Sequence, residues 1–300
     1  MAEEMASRIS SLRTLLPRLS SSLSNFQSSS SKFAIVHAIN PTPDPPQSPK
    51  TLFILDSSFN PPSIAHLAIT KSILRSSSAN RYPKPHRLLL LFSTHNADKA
   101  PSAASFPQRL ALMTIFAEDL HDNLKNSGED HSIPPVDIGL TTLPYYTDKT
   151  AAISAANVYP DKPMHIHMMG FDTITRFFAA KYYPNHDPPF SALAPYFEAG
   201  HRLRVTIRPD DEFGDAKTQR AFLRKLEDGE MEKDGGKREW AEQIEMVEPG
   251  EGVGVSSTKV RKAAKSGDWE TVQALCTKGV MTWVKEEELY AADDRGAKMA

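Results

Sequence analysis

Residues 51–69 read Thr51-Leu52-Phe53-Ile54-Leu55-Asp56-Ser57-Ser58-Phe59-Asn60-Pro61-Pro62-Ser63-Ile64-Ala65-His66-Leu67-Ala68-Ile69. An apolar run of strand length meets a turn with two prolines, and a segment of helical character follows, so the stretch predicts a buried strand feeding a helix through a short loop. The first turn of a helix leaves backbone N–H groups without partners. Here the hydroxyls of Ser57, Ser58 and Ser63 and the imidazole of His66 converge with them on one small volume, which suits a polyphosphate.

A second segment of the same chemical character lies far away in sequence. Gly250, Gly252 and Gly254 lead into Val255-Ser256-Ser257-Thr258-Lys259-Val260-Arg261, where a Ser-Ser-Thr cluster predicts a helix N-cap and Arg261 adds a planar fork for phosphate oxygens. Lys259, Lys262 and Lys265 read as the solvated face of that helix. Between the two segments, Gly170-Phe171-Asp172 closes an apolar strand, offering close backbone approach and a carboxylate acceptor.

Outward from these motifs the pattern alternates. Strand signals fall at 51–56, 87–92, 136–140, 164–169 and 203–207 with helical signals between them, which predicts a doubly wound parallel sheet with helices on both faces. The unbroken apolar run Leu88 to Phe92 implies a strand covered on both sides. Residues 5–24 repeat apolar side chains at helical spacing and 33–36 suggest a short strand, while five prolines between Asn40 and Lys50 read as an extended linker. The expected organisation is an N-terminal helical segment and linker over 1–50, a catalytic domain over 51–290 and a tail over 291–300. A charged insertion is expected near 210–240, with 228–237 its mobile part.

The 300 residues are 40% hydrophobic, enough for a normal core, and 35 basic against 37 acidic side chains leave a formal charge of -2. No global field invites nucleic acid or a membrane, so an anion must be bound in a local pocket. The single Cys276 excludes an internal disulfide and suits a reducing compartment. No stretch reaches the roughly 18 apolar residues of a membrane span. The Ser-rich start with Arg8, Arg13 and Arg18 has features of a mitochondrial presequence, but Glu3 and Glu4 weigh against one. The expected location is cytoplasmic, with the nucleus as a second compartment. His165 and His167 alternate along one strand without further ligands and read as packing residues, not a zinc site.

In the order S-F-N-P-P-x-x-x-H, G-F-D, S-S-T-K-V-R, the chain resembles the nucleotidyltransferase superfamily. Within it the likeness is to the nicotinamide or nicotinate mononucleotide adenylyltransferases, most of all the fungal-type cytosolic group with D-S-S-F-N-P-P and G-F-D-T-I. The resemblance spans about residues 51–290 and implies a Rossmann-like fold. It implies ATP-dependent adenylylation of nicotinamide mononucleotide (NMN) to NAD and pyrophosphate, with magnesium accompanying ATP and no nucleic-acid or membrane partner.

Such a transfer needs alignment and charge neutralisation more than acid–base work, since the attacking phosphate is already an anion. Carried over by motif, His66 and Arg261 are the expected catalytic residues. ATP is expected on Ser58, Phe59, Ser63, His66, Gly170, Asp172, Ser257, Thr258 and Arg261, and the mononucleotide on Ser57, Lys99, Tyr146, Thr150 and Arg208. Ser63 replaces the first His of the family's H-x-x-H, Ser57 stands where Gly is common, Val255 replaces Ile, and the usual pyridine-stacking Trp is missing, with Tyr145 or Tyr146 in its place. Two other readings fit the same residues. One is adenylyl or cytidylyl transfer to another phosphorylated acceptor; the other is a nucleotide-binding accessory protein or ATP hydrolase.

Overall fold

The computed structural model describes residues 2–40, 48–94, 104–128, 130–209 and 213–291. Seven strands form one sheet: β1 (Phe33–Ile39), β2 (Thr51–Asp56), β3 (His86–Ser93), β4 (Val136–Thr141), β5 (Met164–Gly170), β6 (Arg202–Thr206) and β7 (Ile244–Val247). Their order is β1-β4-β3-β2-β5-β6-β7, with β1 antiparallel to β4 and every other pairing parallel. The α-helices are α1 (Ala2–Ser28), α2 (Ile64–Leu74), α3 (Ser76–Ala79), α4 (Phe106–Asn126), α5 (Tyr146–Ala155), α6 (Phe171–Phe177), α7 (Ala194–Glu198), α8 (Ala216–Glu227), α9 (Ser257–Ser266), α10 (Trp269–Leu275) and α11 (Lys278–Glu286). This is the doubly wound α/β architecture that the sequence pattern predicts. Strand order runs outward in one direction from β2 and in the other from β5, so the crevice between their carboxyl ends is where such a sheet takes a ligand.

Alternation of side chains explains why β2 and β3 read as unbroken apolar runs. Phe53 and Leu55, with Leu88, Leu90 and Phe92, enter the large core shared with α1, α4 and α11. Leu52 and Ile54, with Leu89 and Leu91, enter the opposite core with Ile153 and Tyr159. A third, aromatic core surrounds β5 and β6 and includes Phe171, Phe177, Tyr196, Phe197 and Trp240.

The N-terminal segment is built into this body. Ile9, Leu12, Leu19, Leu23 and Phe26 of α1 are buried. Arg8 Nε donates to Glu118 at 2.9 Å and its Nη2 to Asp119 at 2.8 Å, while Arg13 Nε donates to Glu287 at 2.8 Å. The strand suggested at 33–36 runs on to Ile39 and extends the sheet beyond β4. The charged stretch after 228 forms turns and short 3-10 segments that carry Trp240 onto Phe197, ring centroids 4.7 Å apart and 14° from parallel. Among the described residues no helix is long and apolar enough to cross a membrane.

β5 brings a first prediction. His165 and His167 are fully buried, and His201 stacks on His165 at 4.4 Å while its Nδ1 accepts the His165 backbone N–H. Burial pushes the His165 imidazole down to about 3 and that of His201 to about 4, and holds His167 well below its ordinary value. These rings stay neutral in the fold but protonate once unfolded, so stability falls as pH drops from the unfolded value near 6.5 toward the folded ones. His165 and His201 each contribute a loss on the order of 1–2 kcal/mol by pH 5, and His167 acts in the same direction. The melting temperature is expected to fall between pH 7 and pH 5, and less steeply in His165→Phe; equal slopes in the two proteins would refute the role given to His165.

Candidate active site

A cavity of about 640 Å³ opens at the carboxyl ends of β2 and β5. After Asp56 the chain turns through Ser57 and Ser58 to Phe59, whose φ of 45° lies in the left-handed region. That geometry costs a non-glycine residue about 1–2 kcal/mol, which complete burial of the Phe59 ring offsets. The turn leaves Ser57 and Ser58 on the cavity wall and drives Phe59 into the core.

Ser63 caps α2, and His66 sits at the third helical position. The Ser63 backbone N–H donates to His66 Nδ1 at 3.1 Å. A backbone amide can only donate, so in the neutral ring Nδ1 is the acceptor and the proton is on Nε2. Nε2 lies 2.9 Å from Ser57 Oγ, toward the cavity. Phe59 packs against the imidazole at 5.5 Å and Phe116 meets it edge-on at 6.4 Å. A backbone group fixes the tautomer, so the Ser at position 63 preserves it as any residue with an N–H would.

The second motif docks directly on the first. Ser256 caps α9, its hydroxyl accepting from the Lys259 N–H at 3.3 Å. Ser257 Oγ donates to the Pro61 carbonyl at 2.8 Å; Arg261 Nη1 donates to the Asn60 carbonyl at 2.8 Å and Nη2 to Thr258 Oγ1 at 3.2 Å. The glycines before α9 make this approach possible: a Cβ at Gly252 would lie 2.6 Å from the Ala65 Cα, so only a glycine lets that loop lie on α2. Tyr290 completes the clasp, its hydroxyl donating to Asn60 Oδ1 at 2.9 Å.

Gly170 is the N-cap of α6 with an ordinary φ of -84°. A Cβ there would meet the Asp172 carboxylate at 2.7 Å, so a larger residue would displace that carboxylate. Ser57, Ser58, Ser63, His66, Tyr146, Gly170, Asp172, Arg208, Ser257, Thr258 and Arg261 all line the cavity. Arg208 is fixed through its backbone, whose N–H and carbonyl both bond to the buried Gln219 side chain at 2.8 and 2.6 Å. Phe59 and Thr150 do not line the cavity: Phe59 belongs to the core beneath the loop, and Thr150 is buried within α5. Lys99 lies outside the described residues.

Several cavity residues escaped the sequence reading. Arg109 is buried with its guanidinium 5.3 Å and 5.4 Å from the Phe92 and Phe106 ring centroids, and Nη1 donates to the Ser58 carbonyl at 3.4 Å. Lys149 pairs with Asp56. Arg176 and the rings of Tyr182 and Tyr183 line the wall as well, beside Tyr145, which the sequence offers with Tyr146 in place of the missing Trp. Tyr145 lies 6.2 Å and 6.4 Å from Tyr182 and Tyr183, and burial pushes the Tyr146 phenol well above its ordinary value, keeping it neutral. The cavity thus presents Arg109, Lys149, Arg176, Arg208 and Arg261 against the carboxylates Asp56 and Asp172. In a chain with a formal charge of -2 this is a local cationic pocket, of the kind that holds a polyanion.

No family model matches the chain. Over 245 residues, 81% of this chain and 87% of the relative, it is 29% identical to a Schizosaccharomyces pombe protein described as a "Putative nicotinamide mononucleotide adenylyltransferase". A solved structure of Plasmodium falciparum nicotinic acid mononucleotide adenylyltransferase complexed with APC aligns over 81% of this chain and 98% of its own, with 14% identity and a TM-score of 0.47.

Proposed function

We propose that this chain, whose likeness is to the mononucleotide adenylyltransferases, transfers the adenylyl group of ATP to nicotinamide mononucleotide. The observation that carries this reading is the docking of the Ser257–Arg261 motif on the Asn60 and Pro61 carbonyls, which brings Arg261, Thr258 and His66 to one cation-rich wall. In the proposed step an oxygen of the NMN 5′-phosphate bonds to the α-phosphorus of ATP, and the bond from that phosphorus to the bridging oxygen of the β-phosphate breaks. Pyrophosphate leaves with the bond's electron pair, and NAD remains. No proton must be removed from the attacking phosphate, so the protein's work is alignment and stabilisation of developing charge.

His66 Nε2–H donates to a phosphate oxygen in place of Ser57 Oγ. Arg261 and the amides at the start of α9 hold the departing phosphates. Tyr146 with Tyr145 forms the acceptor's aromatic wall. Magnesium enters as part of the ATP substrate. Among the described residues no three His, Cys, Asp or Glu side chains gather as ligands for an ion, and phosphate oxygens supply ligands of the hard kind magnesium prefers. We place the protein in the cytoplasm and nucleus, reducing compartments that its single cysteine suits.

The test is pyrophosphate release by the purified protein with ATP and magnesium. Release on addition of NMN, and not of unrelated phosphorylated acceptors, is the expected result. ATP consumption that ignores NMN would replace this reading with hydrolysis.

A further inference from the structure

Lys149 and Asp56 form an ion pair whose side chains are only 6% and 8% exposed, yet both line the cavity. Asp56 ends β2 and directly precedes the Ser57–Ser58 loop, while Lys149 stands one turn into α5, three residues after Tyr146. The ammonium is 5.2 Å from the Tyr146 ring centroid. An ammonium carries three N–H donors. One is given to Asp56 and one side faces the ring, and no other hydrogen-bond acceptor holds it among the described residues.

A buried ion pair is a poor device for stability alone, since apolar residues of the same volume commonly serve as well or better. Donor capacity left over on a desolvated cation is costlier still, unless its open side meets a ligand or water. Here both members of the pair line a cavity. An anion drawn up to Ser57 and His66 would also meet the Asp56 carboxylate, and Lys149 cancels that repulsion.

We propose that Lys149 contacts the acceptor mononucleotide, donating to an oxygen of its 5′-phosphate while Asp56 holds the ammonium in place. The inference rests on the adenylyl-transfer reading. It assigns the acceptor rather than ATP to Lys149 because Lys149 shares a helix turn with Tyr146, the acceptor's aromatic wall, whereas Thr258 and Arg261 approach from α9.

The experiment compares wild type with two double variants that remove the charges without orphaning a partner. D56N/K149Q keeps a neutral hydrogen bond, and D56L/K149M replaces the pair with apolar volume. Binding of ATP and of NMN is measured separately by calorimetry on the full chain, and KM for each is read from pyrophosphate release. The expected result is a folded variant with ATP affinity within about twofold of wild type and NMN affinity at least about tenfold weaker, with KM for NMN rising in parallel. A folded variant that binds NMN as wild type does, or that loses ATP and NMN alike, overturns the proposal. Failure of both variants to fold assigns the pair to structure and overturns it too. If wild type binds ATP but not NMN, the adenylyl-transfer reading itself falls and takes this inference with it; if wild type binds both and a folded variant is unchanged, only the role of Lys149 falls.

Discussion

His66→Ala is expected to lower the rate of NAD formation by roughly 100-fold or more, the range seen when one donor to developing transition-state charge is removed. The structure makes this a sharp expectation. The Ser63 amide fixes the tautomer, Phe59 and Phe116 fix the plane, and Nε2–H is left toward the cavity with Ser57 Oγ at 2.9 Å. A ligand oxygen that takes the place of Ser57 Oγ meets a donor already oriented, so little reorganisation accompanies reaction. The ring lies at the first turn of α2 and is only partly buried, and the fold should survive its truncation. Steady-state rates alongside a thermal melt decide the matter: wild-type turnover by well-folded His66→Ala protein would remove His66 from the mechanism.

Arg261→Lys is expected to reduce kcat/KM for ATP by on the order of 10- to 100-fold although charge is kept. Arg261 spans two acceptors in different directions, the Asn60 carbonyl and Thr258 Oγ1, and still lines the cavity. A planar fork can tie the loop of the first motif to the helix of the second and present a further N–H to a phosphate. An ammonium on a flexible stem cannot hold that geometry. Lys262, the next residue on α9, is exposed, and Lys262→Ala should leave kcat/KM nearly unchanged. Equal and small effects at the two positions would reduce the motif to a capped surface helix.

Much of this architecture is legible in the chain because the signals are local. A run such as Leu88 to Phe92 can be apolar at every position only if both faces are covered, and the Ser-Ser-Thr cluster marks the start of α9, where Ser256 caps the helix by accepting the Lys259 N–H. The three motifs lie on one cavity for the same reason: each follows a strand or precedes a helix whose end faces the crevice. What stayed hidden depends on contacts distant in sequence. β7 has only four residues, three of them with partly exposed side chains, and its strand character comes from pairing with β6. Phe59 reads as part of a ligand loop, but its backbone turns the ring into the core. Arg109, at the start of α4, gains a place in the site from the two aromatic rings that hold it. Lys149 is one of many lysines until the fold sets it against Asp56, 93 residues earlier.

The central claim is tested most directly by mass spectrometry of the products formed by purified protein from ATP, magnesium and NMN. The account predicts NAD and pyrophosphate in equal amounts, with NAD absent when any reactant is left out. ATP converted to ADP and phosphate, or left intact by a folded protein that binds it, with no NAD formed, would contradict it.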